Sequence, residues 1–185
     1  MIREMEVKIL GIEPEEMEKK IIALGGKLIS KEKQTNILID SESRPIKSFL
    51  DAYLRIRHTE DLISGNEFSE LTLKKNLRNE VLRENVELNV TIDDSNTMLS
   101  ILRELGFDKV TVGFKDRTSY LFYGARLDLD VWDKETYPNP YMEIEVNNEE
   151  RLAEILGVLQ IKPESVSRLS IVELQRKLRE DTDAK

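Results

Sequence analysis

The sequence predicts an α+β protein in which eight β-strands supply most of the fold and helices pack against them. Charged and apolar residues alternate along six of the eight predicted strands, as in Glu4-Met-Glu-Val-Lys8. Because alternate side chains of an extended strand point to opposite faces, one face of each such strand is charged and the other is apolar. Apolar residues also recur at helical spacing in the segments between and after the strands. These two patterns together favour strands with one apolar face covered by helices.

The predicted strands follow one another closely and are separated by turn signals. Ser64-Gly-Asn66 indicates a hairpin between two of them, and Gly124 indicates a tight turn between two others. The strands are predicted over residues 1–10, 27–40, 50–59, 67–75, 80–93, 109–123, 125–132 and 141–147.

Four helices are predicted from apolar stripes with start and stop signals at their ends. Pro14 suits the start of the first helix and Gly25 its end, while Asp94 can cap the second helix and Gly106 can close it. The helices are predicted over residues 15–24, 94–105, 149–159 and 163–178, with loops over 41–48 and 133–140. We therefore expect one domain over residues 1–180, followed by a frayed tail over residues 181–185.

Composition excludes several classes of function. The 185 residues include no cysteine and a single histidine, His58, which rules out disulfides and thiolate metal sites and disfavours a histidine-based zinc site or a Ser-His-Asp triad. The net charge of −8 argues against binding to nucleic acid polymers. No apolar run has the length of a membrane span and no signal-peptide pattern is present, so the sequence predicts a cytoplasmic protein without a membrane partner.

The charged face of the strands has two interpretations on pattern alone. An open sheet would turn this face to water, whereas a sheet curled by its twist would enclose it as a channel. Arginines suit bidentate phosphate binding and carboxylates suit hard cations, so an enclosed face with both would fit a triphosphate held partly through a metal. The charged sets are Glu4/Glu6/Lys8, Arg55/Arg57, Lys74, Arg83/Glu87, Arg126/Asp128/Asp130 and Glu143/Glu145.

The order of these motifs resembles the CYTH superfamily, also called the triphosphate tunnel metalloenzymes. Its Glu-x-Glu-x-Lys signature is similar to Glu4-Met-Glu-Val-Lys8, and later landmarks follow in order over about residues 1–175. They are Leu54-Arg-Ile-Arg57, Leu71-Thr-Leu-Lys74, Arg83 through Glu87, Lys115-Asp-Arg117, Asp128-Leu-Asp130 and Glu143-Ile-Glu145. The resemblance implies an eight-stranded antiparallel β-barrel, or tunnel, with helices packed on the outside.

The resemblance also implies roles for individual residues. Mg²⁺ or Mn²⁺ would be held by Glu4 and Glu6, with Asp130, Glu143 and Glu145 completing or supporting the site. The triphosphate would be bound by the basic residues, of which Lys8 and Arg57 would also stabilise charge during the reaction. Glu87 would bind a second metal or orient the attacking water. The basic set is Lys8, Arg55, Arg57, Lys74, Arg83, Lys115, Arg117 and Arg126.

Two departures from the family pattern concern charge. Asn36 stands where the family often has an aspartate, and Asn85 stands where it often has a glutamate. Both changes replace a carboxylate by an amide, which weakens the case for a second metal ion.

The leading hypothesis for function is a divalent-metal-dependent triphosphate phosphohydrolase acting on inorganic, nucleoside or thiamine triphosphate. A class IV adenylate cyclase is the alternative, disfavoured because only Met1-Ile-Arg3 precede the first motif, where such cyclases often have an aromatic and histidine-bearing segment. A non-catalytic module that binds polyphosphate or nucleotide is the third hypothesis. The expected partner is a small triphosphate-containing substrate, and the chain is expected to be a monomer or a homodimer.

Overall fold

Nine strands and five helices form the fold of the computed structural model, which describes residues 2–77 and 83–183, with side chains described for residues 5–75 and 85–180. The strands are β1 Ile2–Leu10, β2 Lys27–Asp40, β3 Ala52–Asp61, β4 Glu67–Leu77, β5 Arg83–Ile92, β6 Lys109–Phe122, β7 Ala125–Trp132, β8 Tyr141–Val146 and β9 Val166–Ser167. The helices are α1 Pro14–Ala23, α2 Ile46–Leu50, α3 Ser95–Glu104, α4 Glu149–Val158 and α5 Ile171–Asp183.

The first eight strands pair antiparallel in the order β5-β4-β3-β2-β6-β7-β8-β1. In addition β1 pairs with β5, with Glu4 opposite Asn85, so the pairings form a complete cycle. Each of these strands therefore has a neighbour on both sides, as in a closed barrel. The antiparallel barrel with helices agrees with the predicted fold class.

The apolar faces of the strands point outward and are covered in part by helices. Val7 of β1 and Ile144 of β8 belong to a buried cluster that also contains Ile21 of α1 and Ile155 of α4. A second cluster joins Leu102 of α3 to apolar residues of β2, β3 and β5. Each fully buried aliphatic side chain contributes about 1.5–3 kcal/mol, so this packing holds the charged faces of the strands inside the barrel.

The end of the chain differs from the prediction of one helix over residues 163–178. Pro163–Ser165 form a 3₁₀ turn, and Ser167 in β9 pairs with Lys8 of β1. The helix begins only at Ile171, preceded by a capping box in which Ser170 N donates to Glu173 Oε2 at 2.7 Å and Glu173 N donates to Ser170 Oγ at 3.2 Å. The pairing with β1 is a contact over long sequence distance, which a local helix signal cannot anticipate.

Two further predicted segments can be compared with the described residues. The loop predicted over residues 41–48 overlaps the short helix α2, which follows Pro45. Helix α5 continues through residues 181–183 of the predicted tail, while residues 184–185 lie outside the described residues, so fraying of the chain end stays a prediction. No helix in the described part has both the length and the hydrophobicity needed to span a membrane.

Candidate functional site

The interior of the barrel contains two neighbouring cavities. The larger has a volume of about 1190 Å³ and is lined by basic and acidic residues of the strands and by the first turns of α5. The smaller, of about 220 Å³, lies towards the other end, and both cavities are lined by Arg57, Arg117 and Glu145. The charged faces of the strands therefore enclose a polar passage, as the channel interpretation predicts.

Three carboxylates meet where β7 and β8 pair. Glu143 lies opposite Asp128 in the register of these strands, and oxygens of Asp128, Glu143 and Glu145 all lie within 4.8 Å of one another. We call these three residues the acidic cluster. Glu143 and Glu145 were predicted as metal ligands, whereas Asp128 was placed on the charged face without a role. The position of Asp128 two residues before Asp130 was the signal that it shares the same face.

Asp130, the aspartate predicted as a metal ligand, lies beside the acidic cluster in a different set of contacts. Its carboxylate accepts hydrogen bonds from Arg117 Nε and Nη2, both at 2.6 Å, and from Lys115 Nζ at 2.9 Å. Burial alone would raise the pKa of Asp130, but Arg117 and Lys115 outweigh it and lower the pKa below its ordinary value. Asp130 thus pairs with basic side chains in this structure, and its role as a metal ligand stays a prediction.

Arg117 joins the acidic cluster to Asp130. Its Nη1 lies 2.5 Å from Asp128, and its Nη2 lies 2.7 Å from Glu143. Burial would lower the pKa of Arg117, but the three carboxylates raise it well above its ordinary value. Because its positive charge is shared among so many acids, Arg117 offers less to an incoming anion than its sequence motif suggests.

Lys8 and Lys74 link β1 to the strands on either side. Lys8 Nζ lies 2.9 Å from Glu143 and 3.6 Å from Glu6, and Lys74 Nζ lies 3.3 Å from Glu6 and 2.8 Å from Glu87. All five side chains are largely buried. Glu6, predicted as a metal ligand, is therefore held between two lysines. The side chains of Glu4 and Arg83 lie outside the described residues, and their roles stay predictions.

Glu87 is held as a carboxylate at the wall of the larger cavity. Burial would raise its pKa, but Lys74 and Arg55 lower it overall, and Asn89 donates a hydrogen bond at 3.2 Å. A buried carboxylate that stays ionised can accept a hydrogen bond from water.

Arg55 and Arg57, on the lumen face of β3, are half-buried and differ from the buried basic residues in their partners. Neither has a carboxylate within ion-pair distance among the described residues, and Arg55 Nε is buried without a hydrogen-bond partner. Burial, together with Arg55 and Arg117, lowers the pKa of Arg57 to about 10. Half-buried cations without acidic partners favour a bound anion, which would compensate their partial loss of solvation.

Lys115 and Arg126 complete the predicted basic set. Lys115 is buried beside Arg117, and its pKa is lowered to about 7, first by burial and then by the charge of Arg117. Arg126 lines the smaller cavity, where its Nε lies 2.8 Å from Asp128 and its Nη2 donates to Ser119 Oγ at 2.9 Å. Arg126 therefore lies beyond the acidic cluster, away from Arg55.

The acidic cluster fits a divalent metal by the chemistry of its donors. It offers only carboxylate oxygens from neighbouring strands, the ligands that hard cations such as Mg²⁺ prefer. Arg117 and Lys8 balance its charge in the structure.

Comparison with known proteins supports the architecture. The CYTH domain model matches residues 3–170. PH1819 from Pyrococcus horikoshii OT3 is 25% identical with a TM-score of 0.77, over 94% of this chain and 98% of that one. PH1012 from the same organism is also 25% identical, with a TM-score of 0.74 over 92% and 98% of the two chains.

HpAC1 from Hippeastrum, at 18% identity and a TM-score of 0.62, shares the fold over 92% of this chain and 91% of its own. No curated protein matches the sequence. Since the domain model spans nearly the whole chain and the motifs line the interior of the barrel, the protein belongs to the CYTH domain family.

Proposed function

We propose that this chain is a divalent-metal-dependent triphosphate phosphohydrolase acting on inorganic triphosphate or on a nucleoside or thiamine triphosphate. The observation that carries the proposal is the separation of charge inside the barrel. Arg55 and Arg57 on β3 lack acidic partners among the described residues, while the acidic cluster occupies β7 and β8. A polyanion bound through a metal on one side and through arginines on the other matches this separation.

The basic residues bind and orient the phosphates in this proposal. Arg55 and Arg57 donate hydrogen bonds to phosphate oxygens, and Lys8 and Lys115 add positive charge as negative charge develops during the reaction. The acidic cluster would hold Mg²⁺ or Mn²⁺, and such an ion, when bound, neutralises phosphate charge and polarises the bond to be broken.

Glu87 is the proposed acceptor for the attacking water. Its carboxylate stays ionised through Lys74 and Arg55, and it faces the larger cavity. An ionised carboxylate in this position can orient a water molecule and take up its proton.

The adenylate cyclase alternative uses the same basic and acidic residues. HpAC1, which shares this fold, is described as a candidate adenylyl cyclase with a dominant triphosphatase activity. The charge separation in the lumen fits both reactions, because both bind a triphosphate with a metal. The products therefore distinguish them.

The test is incubation of the purified chain with tripolyphosphate, thiamine triphosphate and ATP, in Mg²⁺ and in Mn²⁺, followed by separation of the products. We expect phosphate release, with ADP and no cyclic AMP from ATP. The Glu143→Gln variant, which loses one carboxylate of the acidic cluster, should lose metal-dependent turnover. Cyclic AMP with pyrophosphate would support the cyclase, and tight binding without turnover would support a non-catalytic module.

A further inference from the structure

Two aromatic residues at the wall of the larger cavity are linked by a hydrogen bond. Trp132, at the end of β7, donates from Nε1 to the hydroxyl oxygen of Tyr141, at the start of β8, at 2.8 Å. Both residues line the larger cavity, and Tyr141 is almost completely buried. The sequence motifs of the family gave no role to this pair.

The pair lies between two lysines of the lumen. Lys115 on β6 is directly opposite Trp132, and its Nζ lies 5.2 Å from the centroid of the indole. Lys8 on β1 has its Nζ 5.6 Å from the centroid of the Tyr141 ring. Since the strands are neighbours in the order β6, β7, β8, β1, the residues follow the wall in the order Lys115, Trp132, Tyr141, Lys8.

The hydroxyl of Tyr141 still has a proton to donate. An indole N–H can only donate, so the Tyr141 oxygen is the acceptor in the contact with Trp132. Among the residues whose side chains the structure describes, none accepts a hydrogen bond from this hydroxyl. A phenol has an ordinary pKa of about 10, so the hydroxyl carries its proton at neutral pH.

Packing behind the ring fixes the position of this hydroxyl. Tyr141 belongs to an apolar cluster with Tyr137 and Leu174 of α5, and the rings of Tyr137 and Tyr141 meet edge to face with centroids 6.0 Å apart. A ring that is packed in an apolar cluster and hydrogen-bonded at its tip is held in one orientation.

We propose that Tyr141 is a further substrate-binding residue, whose hydroxyl donates a hydrogen bond to a phosphate oxygen of the triphosphate beside Lys8 and Lys115. Trp132 is a positioning residue, because it acts through the oxygen of Tyr141. This inference rests on the proposed function, since it takes a triphosphate as the ligand.

The experiment measures binding of tripolyphosphate by calorimetry in the presence of a chelator, so that neither metal nor turnover contributes. Tyr141→Phe keeps the ring and removes the hydroxyl, and we expect its affinity to fall by about tenfold or more, as for a lost hydrogen bond to a charged group. Tyr137→Phe is the matched control: it removes a phenolic hydroxyl from the same apolar cluster, outside the residues that line the cavities. Its affinity should equal that of the wild type.

Trp132→Phe tests the positioning role. It keeps an aromatic ring beside Lys115 but removes the N–H, so the affinity should fall less than in Tyr141→Phe. The double variant of Trp132→Phe and Tyr141→Phe should bind no more weakly than Tyr141→Phe alone, because Trp132 acts only through the hydroxyl. Trp132 is the single tryptophan of the chain, so its fluorescence also reports whether tripolyphosphate reaches this wall in the wild type.

The outcomes separate the two proposals. Equal affinity of Tyr141→Phe and the wild type, or an equal loss in Tyr137→Phe, would overturn the role of Tyr141 and leave the proposed function standing. If the wild type binds tripolyphosphate only after Mg²⁺ is added, the same variants are compared in Mg²⁺. A wild-type chain that binds no tripolyphosphate in either condition would overturn both. Additive losses in the double variant would overturn the positioning role of Trp132.

Discussion

Arg57 donates a hydrogen bond from Nε to the side-chain oxygen of Asn36 at 3.1 Å, so this lumen arginine is held by a neutral amide. The two residues lie directly opposite each other in the register of β2 and β3. An amide orients the guanidinium without neutralising it, which leaves the charge of Arg57 available to an anion. The departure of Asn36 from the family pattern thus has a direct electrostatic consequence.

Replacing this amide by a carboxylate should weaken the binding of triphosphate. In Asn36→Asp the new carboxylate would pair with Arg57, and a triphosphate would have to compete with it. We expect the affinity for tripolyphosphate to fall by about tenfold, equivalent to about 1.4 kcal/mol. Calorimetry on the variant and the wild type provides the measurement.

Asn66→Asp is the control for this change, since it adds the same charge in an exposed turn. An equal loss of affinity in both variants would assign the effect to net charge and not to the contact with Arg57.

Two aspartates of β7 should differ in their effect on metal binding. Asp128 belongs to the acidic cluster, whereas Asp130 is bound by Arg117 and Lys115. We expect Asp128→Asn to weaken Mn²⁺ binding at least about tenfold, and Asp130→Asn to weaken it much less, because only Asp128 offers an oxygen beside Glu143 and Glu145. Electron paramagnetic resonance of Mn²⁺ titrations measures both affinities.

The two variants also control for each other, because both aspartates are fully buried and both contact Arg117. A larger loss of Mn²⁺ affinity in Asp130→Asn would restore the assignment made from the sequence.

Binding of triphosphate should take up a proton at Lys115. Its pKa of about 7 means that the ammonium is largely deprotonated in the free protein at about pH 8, and a bound polyanion favours the protonated form. The affinity for tripolyphosphate should therefore fall as the pH rises through 7. Calorimetry at about pH 8 in two buffers of different ionisation enthalpy measures the proton uptake.

Lys115→Met is the reference variant for this proton uptake. Tripolyphosphate itself also exchanges protons on binding, and that contribution is common to both proteins.

The lowered pKa of Lys115 also affects stability. Between about pH 7 and pH 10.5, the unfolded chain binds more protons at Lys115 than the folded one. The free energy of unfolding therefore rises with pH across this window, and the rise should be smaller in Lys115→Met. Equal proton uptake by Lys115→Met and by the wild type on binding tripolyphosphate would contradict the assignment of that uptake to Lys115.

Gly113 allows the loop between β7 and β8 to approach β6. A Cβ atom at this position would lie 2.6 Å from Thr136 Oγ1 and 3.2 Å from a ring carbon of Trp132. We expect Gly113→Ala to lower the free energy of unfolding by about 1–3 kcal/mol, as overpacking does. Chemical denaturation measures this loss.

Thr136→Ala in the same chain removes the closest contact and should recover most of the lost stability. If Gly113→Ala alone is as stable as the wild type, the loop accommodates the methyl group and the close approach carries no constraint.

The sequence predicts the eight long strands and their charged face well, because both depend on local alternation. It does not predict which charges meet, as Asp128 and Asp130 show. Both lie on the same face of β7, and only the register with β8 places Asp128 beside Glu143. Register depends on packing across the barrel, which alternation within one strand does not specify.

The contacts of Arg117 and Asn36 could not be predicted from the sequence for the same reason. A basic motif shows that a cation lies in the lumen, but not whether carboxylates already surround it. Arg117 has three such neighbours, while Arg57 has an amide. Whether each cation can bind an incoming anion therefore depends on its neighbours in the assembled barrel.

The pairing of β1 has a consequence for how the chain folds. This first strand is hydrogen-bonded to β5, β8 and β9, all of which come much later in the sequence. Contacts between distant segments form slowly, because the entropy of closing a long loop is lost before they stabilise the chain. During synthesis β1 therefore has no partner strand until β5 has been made, and its pairing with β8 and β9 comes later still. Until then its apolar residues Val7 and Ile9 are exposed to other chains.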